Sequence, residues 1–136
     1  MASDRLWGDR IHKVVILDSS AIMMLFEFSI DLENELTRLL GSHAVVVPKA
    51  VVDELDFLAK KEQAGKKKMK AKAAIKLIEK YEIVDVKSEN ADDSIIELAK
   101  ETDGVVVTND TELRKRLKEL SVPIIFLRAK KKLVME

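Results

Sequence analysis

Residues 105–110 read VVVTND and run straight into TELRKRLKEL (111–120). Four apolar or β-branched side chains in a row describe a strand buried on both faces, since a half-solvated strand would alternate apolar and polar residues. The decad that follows is helix-like. Asp110 therefore stands where a buried strand ends and a helix begins, the edge at which open parallel sheets bind their ligands.

The same succession recurs along the chain. KVVIL (13–17), AVVV (44–47), EIVDV (82–86), GVVVT (104–108) and PIIFL (123–127) read as strands, each continuous in apolar character. Helical patterns fill the gaps at about 19–28, 31–40, 49–62, 68–81, 91–102 and 110–120. In DLENELTRLLG, Asp31 suits an N-cap, Gly41 a C-cap, and Leu32, Leu36, Leu39 and Leu40 form the apolar stripe. Repeated β-α alternation predicts an α/β fold: a three-layer α/β/α arrangement with a parallel five-stranded sheet and right-handed crossovers.

Composition narrows the function. The chain has 136 residues, 47% of them hydrophobic, which predicts one domain with a single sizeable core. It contains no cysteine, so disulfides, thiolate metal sites and cysteine nucleophiles are excluded. The charged N-terminus and the lack of any apolar run near 18 residues predict a cytoplasmic protein without a membrane span. Lys and Arg, 24 together, balance 24 Asp and Glu, so nucleic-acid binding would have to come from local clustering.

Four acids draw attention by placement. Asp18 follows KVVIL as Asp110 follows VVVTN, on the same edge of the expected sheet. Glu54, in VPKAVVDEL, shares a helix face with Val51, Leu55 and Leu58, which points it inward. Asp92 stands three, four and seven residues before Ile95, Ile96 and Ala99 on the buried face of its helix, with Asp93 turned about 100° away. Singly, Asp18, Asp92 and Asp110 are explained as helix caps or first-turn acids, and Glu54 as the partner of a nearby lysine. Jointly, four carboxylates at one edge repel one another, and a cation is the usual compensation. Oxygen-only ligation favours Mg²⁺ or Mn²⁺, whose chemistry is phosphodiester hydrolysis by metal-activated water. His12 and His43 lie outside these motifs and read as ordinary surface or packing residues.

VVILDSSAIM, VPKAVVDEL, ADDSIIELAKETDGVVVTND and VPIIFLR together resemble the PIN domain family of small metal-dependent nucleases, over about residues 13–128. Counting from Asp92 brings Ile95, Ala99, Thr108 and Asp110 into the family's register; counting from Asp93 misses each. The resemblance implies a single PIN domain across 1–136, with a short N-terminal extension and a basic C-terminal tail. It implies that Asp18, Glu54, Asp92 and Asp110 form the acidic quartet, coordinating Mg²⁺ or Mn²⁺ for cleavage of single-stranded RNA, and that Ser20 and Thr108 hold carboxylates in place. Two branches fit: toxin ribonucleases of the VapC type, whose partner is an antitoxin protein, and PIN proteins of small-subunit ribosomal RNA processing, which act on structured RNA in a pre-ribosomal particle. The ADD pair, RKRLKEL and VPIIFLRAKK look closer to the second, whereas the cysteine- and histidine-bearing segments of its eukaryotic members are missing. A homodimer is a further expectation from the family.

KKEQAGKKKMKAK (60–72) carries seven lysines and one acid, and follows directly on the helix of Glu54. Lys66, Lys67, Lys68 and Lys70 are the candidate RNA-backbone contacts, against the plain alternative of a solvated helix connection. No aromatic residue interleaves them. Arg114, Lys115, Arg116, Lys118, Arg128 and Lys130 to Lys132 would extend such a surface, and Trp7 is either a packing anchor or an interface residue. A phosphoacceptor domain would want lysine after the last strand, where Leu127 and Arg128 stand, and an integrin-like metal motif fails at Ile22. The rival reading is an RNA-binding or partner-bound PIN module with little turnover.

Overall fold

A computed structural model describes residues 12–61, 65–88 and 90–136. Trp7 and the N-terminal extension lie outside them, as does the Lys67 side chain. The elements run β1 (Lys13–Leu17), α1 (Ser19–Glu27), α2 (Leu32–Leu40), β2 (His43–Pro48), α3 (Lys49–Lys60), α4 (Lys66–Ile78), β3 (Glu82–Val84), α5 (Ala91–Thr102), β4 (Val105–Val107), α6 (Thr111–Glu119), β5 (Ile124–Arg128) and β6 (Lys132–Met135). Among the described residues, no helix is long and apolar enough to cross a membrane.

The sheet order is β3-β2-β1-β4-β5-β6. The first five strands are parallel, with Val15 paired to both Val45 and Val105. Right-handed crossovers then place α1 to α4 on one face and α5 and α6 on the other. This double cover explains why Val14 to Leu17, Val45 to Val47 and Val105 to Val107 are all buried, leaving no polar alternation to read. The sheet has six strands rather than the expected five: the basic tail is itself an edge strand, antiparallel to β5, with Phe126 opposite Val134. β3 also departs from expectation. It is the other edge, and Glu82 and Ile83 are exposed.

Chain order makes β1 the point where the topology reverses, with β2 and β3 laid to one side and β4 and β5 to the other. The crevice beyond the carboxyl ends of β1 and β4 is the ligand position such a sheet offers. The strands are brought close at their start: a Cβ at Gly104 would stand 3.0 Å from the Val14 carbonyl oxygen and 2.8 Å from Thr102 Oγ1, so no larger residue fits there without movement. At their end Asp18 N donates to Val107 O at 3.1 Å, so the ladder delivers Asp18 beside Thr108.

Candidate functional site

Asp18 occupies the N-cap position of α1, yet its side chain makes no capping bond. Instead Oδ2 accepts the Ser20 hydroxyl at 2.6 Å and the Thr108 hydroxyl at 2.7 Å. Asp18 is 4% exposed and Thr108 fully buried. Burying a carboxylate is costly unless donors replace its water, and two hydroxyls at a helix N-terminus do that on one oxygen. Ser20 and Thr108 thus share one oxygen of Asp18.

Asp110 does cap its helix: Oδ1 accepts the amides of Glu112 at 2.9 Å and Leu113 at 3.1 Å, while its own amide donates to Thr108 Oγ1 at 3.1 Å. Both cap bonds fall on Oδ1, leaving Oδ2 for another partner. Between them Asn109 makes a twin contact with β5, donating to Leu127 O at 3.1 Å and accepting Leu127 N at 2.9 Å. An amide side chain so placed imitates a backbone pair and extends the β4–β5 ladder to the residue before Asp110.

Asp92 is not a cap. Asn90 caps α5, its Oδ1 accepting the Asp93 amide at 2.9 Å. Asp93 turns outward, accepting Asn90 Nδ2 at 3.2 Å and Arg116 at 3.0 Å. The Asp92 carboxyl titrates above the ordinary aspartate range because burial disfavours its charge, and because Asp18, Asp110 and Glu54 add negative potential that Arg116 partly offsets.

Glu54 differs from the inward orientation expected. Val51, Leu55 and Ala59 carry the buried stripe of α3, which leaves Glu54 exposed on the rim. It accepts a hydrogen bond from the Ser19 hydroxyl, tying α3 to the start of α1. Among the described residues, no three His, Asp or Glu side chains form a ready metal-holding group, since Glu54 is turned to Ser19 and Asp110 to its own helix. The four acids therefore share a field rather than a closed shell. Neither histidine joins them: His12 contacts Ser42 at 2.7 Å, and His43 contacts Gly41 O and Glu33.

Ser19, Asn109 and Arg116 belong to this neighbourhood without having been singled out as site residues from sequence. Ser19 stands next to Asp18, but its partner is 35 positions away; Asn109 and Leu127 are 18 apart. Only a three-dimensional register reveals such pairs.

The basic residues divide. Lys70 is ion-paired to Glu27, fastening α4 to α1. Lys66 is exposed and Lys68 half-buried. Arg114 and Lys118 bind Glu136, and Arg114 stacks over Phe126 at 4.2 Å, so two of the expected surface cations hold the C-terminus down. An aromatic does stand beside the lysine run: Phe57 on α3 is 63% exposed, with Lys61 Nζ 5.5 Å from its ring centroid.

The chain and its fold are matched in known proteins. The family model described as "PIN like domain" matches residues 15–130, and the chain belongs to that family. It is 32% identical over 120 residues to Ribonuclease VapC4 of Methanocaldococcus jannaschii, covering 86% of this chain and 92% of that protein. It is 30% identical over 136 residues to Ribonuclease VapC9 of Archaeoglobus fulgidus, covering 100% and 98%. Among solved structures it is similar to the PIN domain endonuclease Utp24, with a TM-score of 0.74, 25% identity and 90% of each chain covered.

Proposed function

We propose that the chain, acting as one PIN domain, is a metal-dependent endoribonuclease that hydrolyses phosphodiester bonds of single-stranded RNA, with Asp18, Glu54, Asp92 and Asp110 holding Mg²⁺ or Mn²⁺. The observation that carries this reading is Asp92, on which burial and the charges of the other three acids converge from three other segments of the chain. Clustered carboxylates of this kind favour a hard divalent cation over neutral or thiolate-seeking ligands. The names of the two ribonuclease relatives support RNA as substrate, and that of the Utp24 endonuclease supports internal cleavage.

The protein's own groups prepare the site. Ser20 and Thr108 both donate to Oδ2 of Asp18, which leaves Oδ1 to face a cation. The α6 cap fixes the Asp110 side chain through Oδ1. Arg116 lessens the repulsion on Asp92 and holds Asp93 out of the cluster. When bound, a divalent ion supplies an activated water and charge compensation at the scissile phosphate.

The test is cleavage of a mixed single-stranded RNA by purified protein with Mn²⁺, with Mg²⁺ and with EDTA, beside Asp110→Asn. Cleavage that needs metal and is lost in the variant is the expected result; RNA binding without cleavage by wild type would favour the non-catalytic module. A toxin-type role brings an antitoxin partner and a processing role a pre-ribosomal particle, and co-purification from the native host distinguishes them.

A further inference from the structure

Burying a phenylalanine is favourable, so one left 63% exposed three residues after an acid of the candidate site calls for a partner. Phe57 stands three residues after Glu54, which puts both on one stripe of α3, and Lys61 follows as the residue that ends the helix. Along the axis the stripe advances about 4.5 Å from Glu54 to Phe57, and Lys61 Nζ stands 5.5 Å from the Phe57 ring centroid. From Lys61, the four steps to Gly65 reach at most about 14 Å before α4 opens with its lysines. An acid of the candidate site, an exposed aromatic ring and a set of cations therefore follow one another along the chain as one track.

We propose that Phe57 is a base-stacking platform for single-stranded RNA, with Lys61, Lys66 and Lys68 holding the backbone phosphates beyond it. Every base has a π-face, so an aromatic ring binds it without sequence preference, and flanking cations neutralise phosphate. Charge complementarity selects RNA over an apolar protein surface here: the Lys61 ammonium lies over the Phe57 ring, and the chain beyond it opens on lysines. This deepens the ribonuclease reading and rests on it for the direction of the track. The nucleotide on Phe57 would lie next to the one whose phosphate reaches the acids.

The experiment is equilibrium binding of a short single-stranded RNA in EDTA, which does not require turnover, by wild type, Phe57→Ala, Phe57→Leu and Phe57→Trp. Each variant is checked by thermal melting; the exposed site predicts an unchanged fold. Phe57→Ala and Phe57→Leu should bind roughly 5- to 150-fold more weakly, the range that one base stacked on one aromatic contributes, and Phe57→Trp should retain affinity. Binding of duplex RNA, whose bases are already stacked, should not move. Lys61→Ala should lower the salt slope by about 0.7, the single-strand value for one phosphate, while Phe57→Ala leaves the slope unchanged. Equal affinity of Phe57→Ala and wild type for single-stranded RNA overturns the proposal, and a simultaneous shift from dimer to monomer in sedimentation would make Phe57 a contact between copies of the chain. Loss of binding in Phe57→Ala with no cleavage by wild type would keep the platform and remove the nuclease; cleavage with unchanged binding would do the reverse.

Discussion

Thr108 Oγ1 donates to Asp18 Oδ2 at 2.7 Å across 90 positions of sequence, and the same oxygen accepts the amide of Asp110 at 3.1 Å. One buried hydroxyl thus ties the Asp18 carboxylate at the end of β1 to the backbone of Asp110 beyond β4. Replacing Thr108 with valine keeps the shape and removes both bonds, leaving a buried carboxylate short of a donor. The expected loss is about 1–3 kcal/mol of stability, with weakened Mn²⁺ binding and near-complete recovery of both in Thr108→Ser. Thermal denaturation and metal titration of the two variants read the outcome; an unperturbed Thr108→Val would deny the link any role.

Asn109 predicts a separation between folding and function. Asn109→Ala strips the backbone of Leu127 of both side-chain partners, at a cost of about 1–3 kcal/mol, and loosens the turn that aims Asp110. A merely structural residue would lower the melting temperature and leave the metal affinity of the folded protein unchanged. A positioning residue would weaken metal binding even at temperatures where the variant is fully folded. We expect the second pattern.

Asp92 predicts the pH dependence of stability without metal. Its folded pKa is raised above the ordinary 3.8 by burial first and by Asp18 and Asp110 next. Between 3.8 and the raised value the native state binds more protons than the unfolded state, so stability from this group falls as pH rises through that window. Below it the penalty vanishes. Asp92→Asn should therefore stabilise the metal-free protein at neutral pH and be nearly neutral near pH 3, as measured by denaturant unfolding across pH. Metal binding, which needs the ionised acid, should release protons in wild type and fewer in the variant. A variant less stable than wild type at pH 7 would contradict the repulsion argument.

Much of this was legible in the sequence because burial on both faces leaves unbroken apolar runs: KVVIL, AVVV and GVVVT could be read as parallel strands without knowing their neighbours. The strand ends then placed Asp18 and Asp110 on one edge. β6 was hidden for a physical reason. Its hairpin turns on Ala129 and Lys130, both at positive φ of 56° and 58°, where Gly or Asn would have announced the turn, and its lysines suit a solvated edge as well as a tail. The inward reading of Glu54 failed because helical periodicity fixes a face only to within one residue, and Leu55 won the buried position. Of the three cap-like aspartates, Asp18 is drawn off its helix by Thr108 from a distant strand, which periodicity cannot register, and Asp92 yields the cap to Asn90 two residues earlier.

The edge strand gives the last prediction. Glu35 Oε1 accepts the Leu133 amide at 2.7 Å and Arg38 donates to the Leu133 carbonyl at 2.7 Å, so α2 supplies side-chain partners to the backbone of β6. The Glu35 carboxyl is held below the ordinary 4.5 by its bonds from Arg38 and from the Leu133 amide. A depressed acid contributes stability that is present above pH 4.5 and lost as pH falls through the folded value. Glu35→Ala should cost about 1 kcal/mol and speed hydrogen exchange at residues 132–135 at neutral pH. Wild-type protection there should decline on acidification below pH 4.5, after amide exchange rates are corrected for pH, whereas the variant should show no such decline. Equal protection of the two proteins at neutral pH would mean that pairing with β5 alone holds β6, with α2 merely lying alongside.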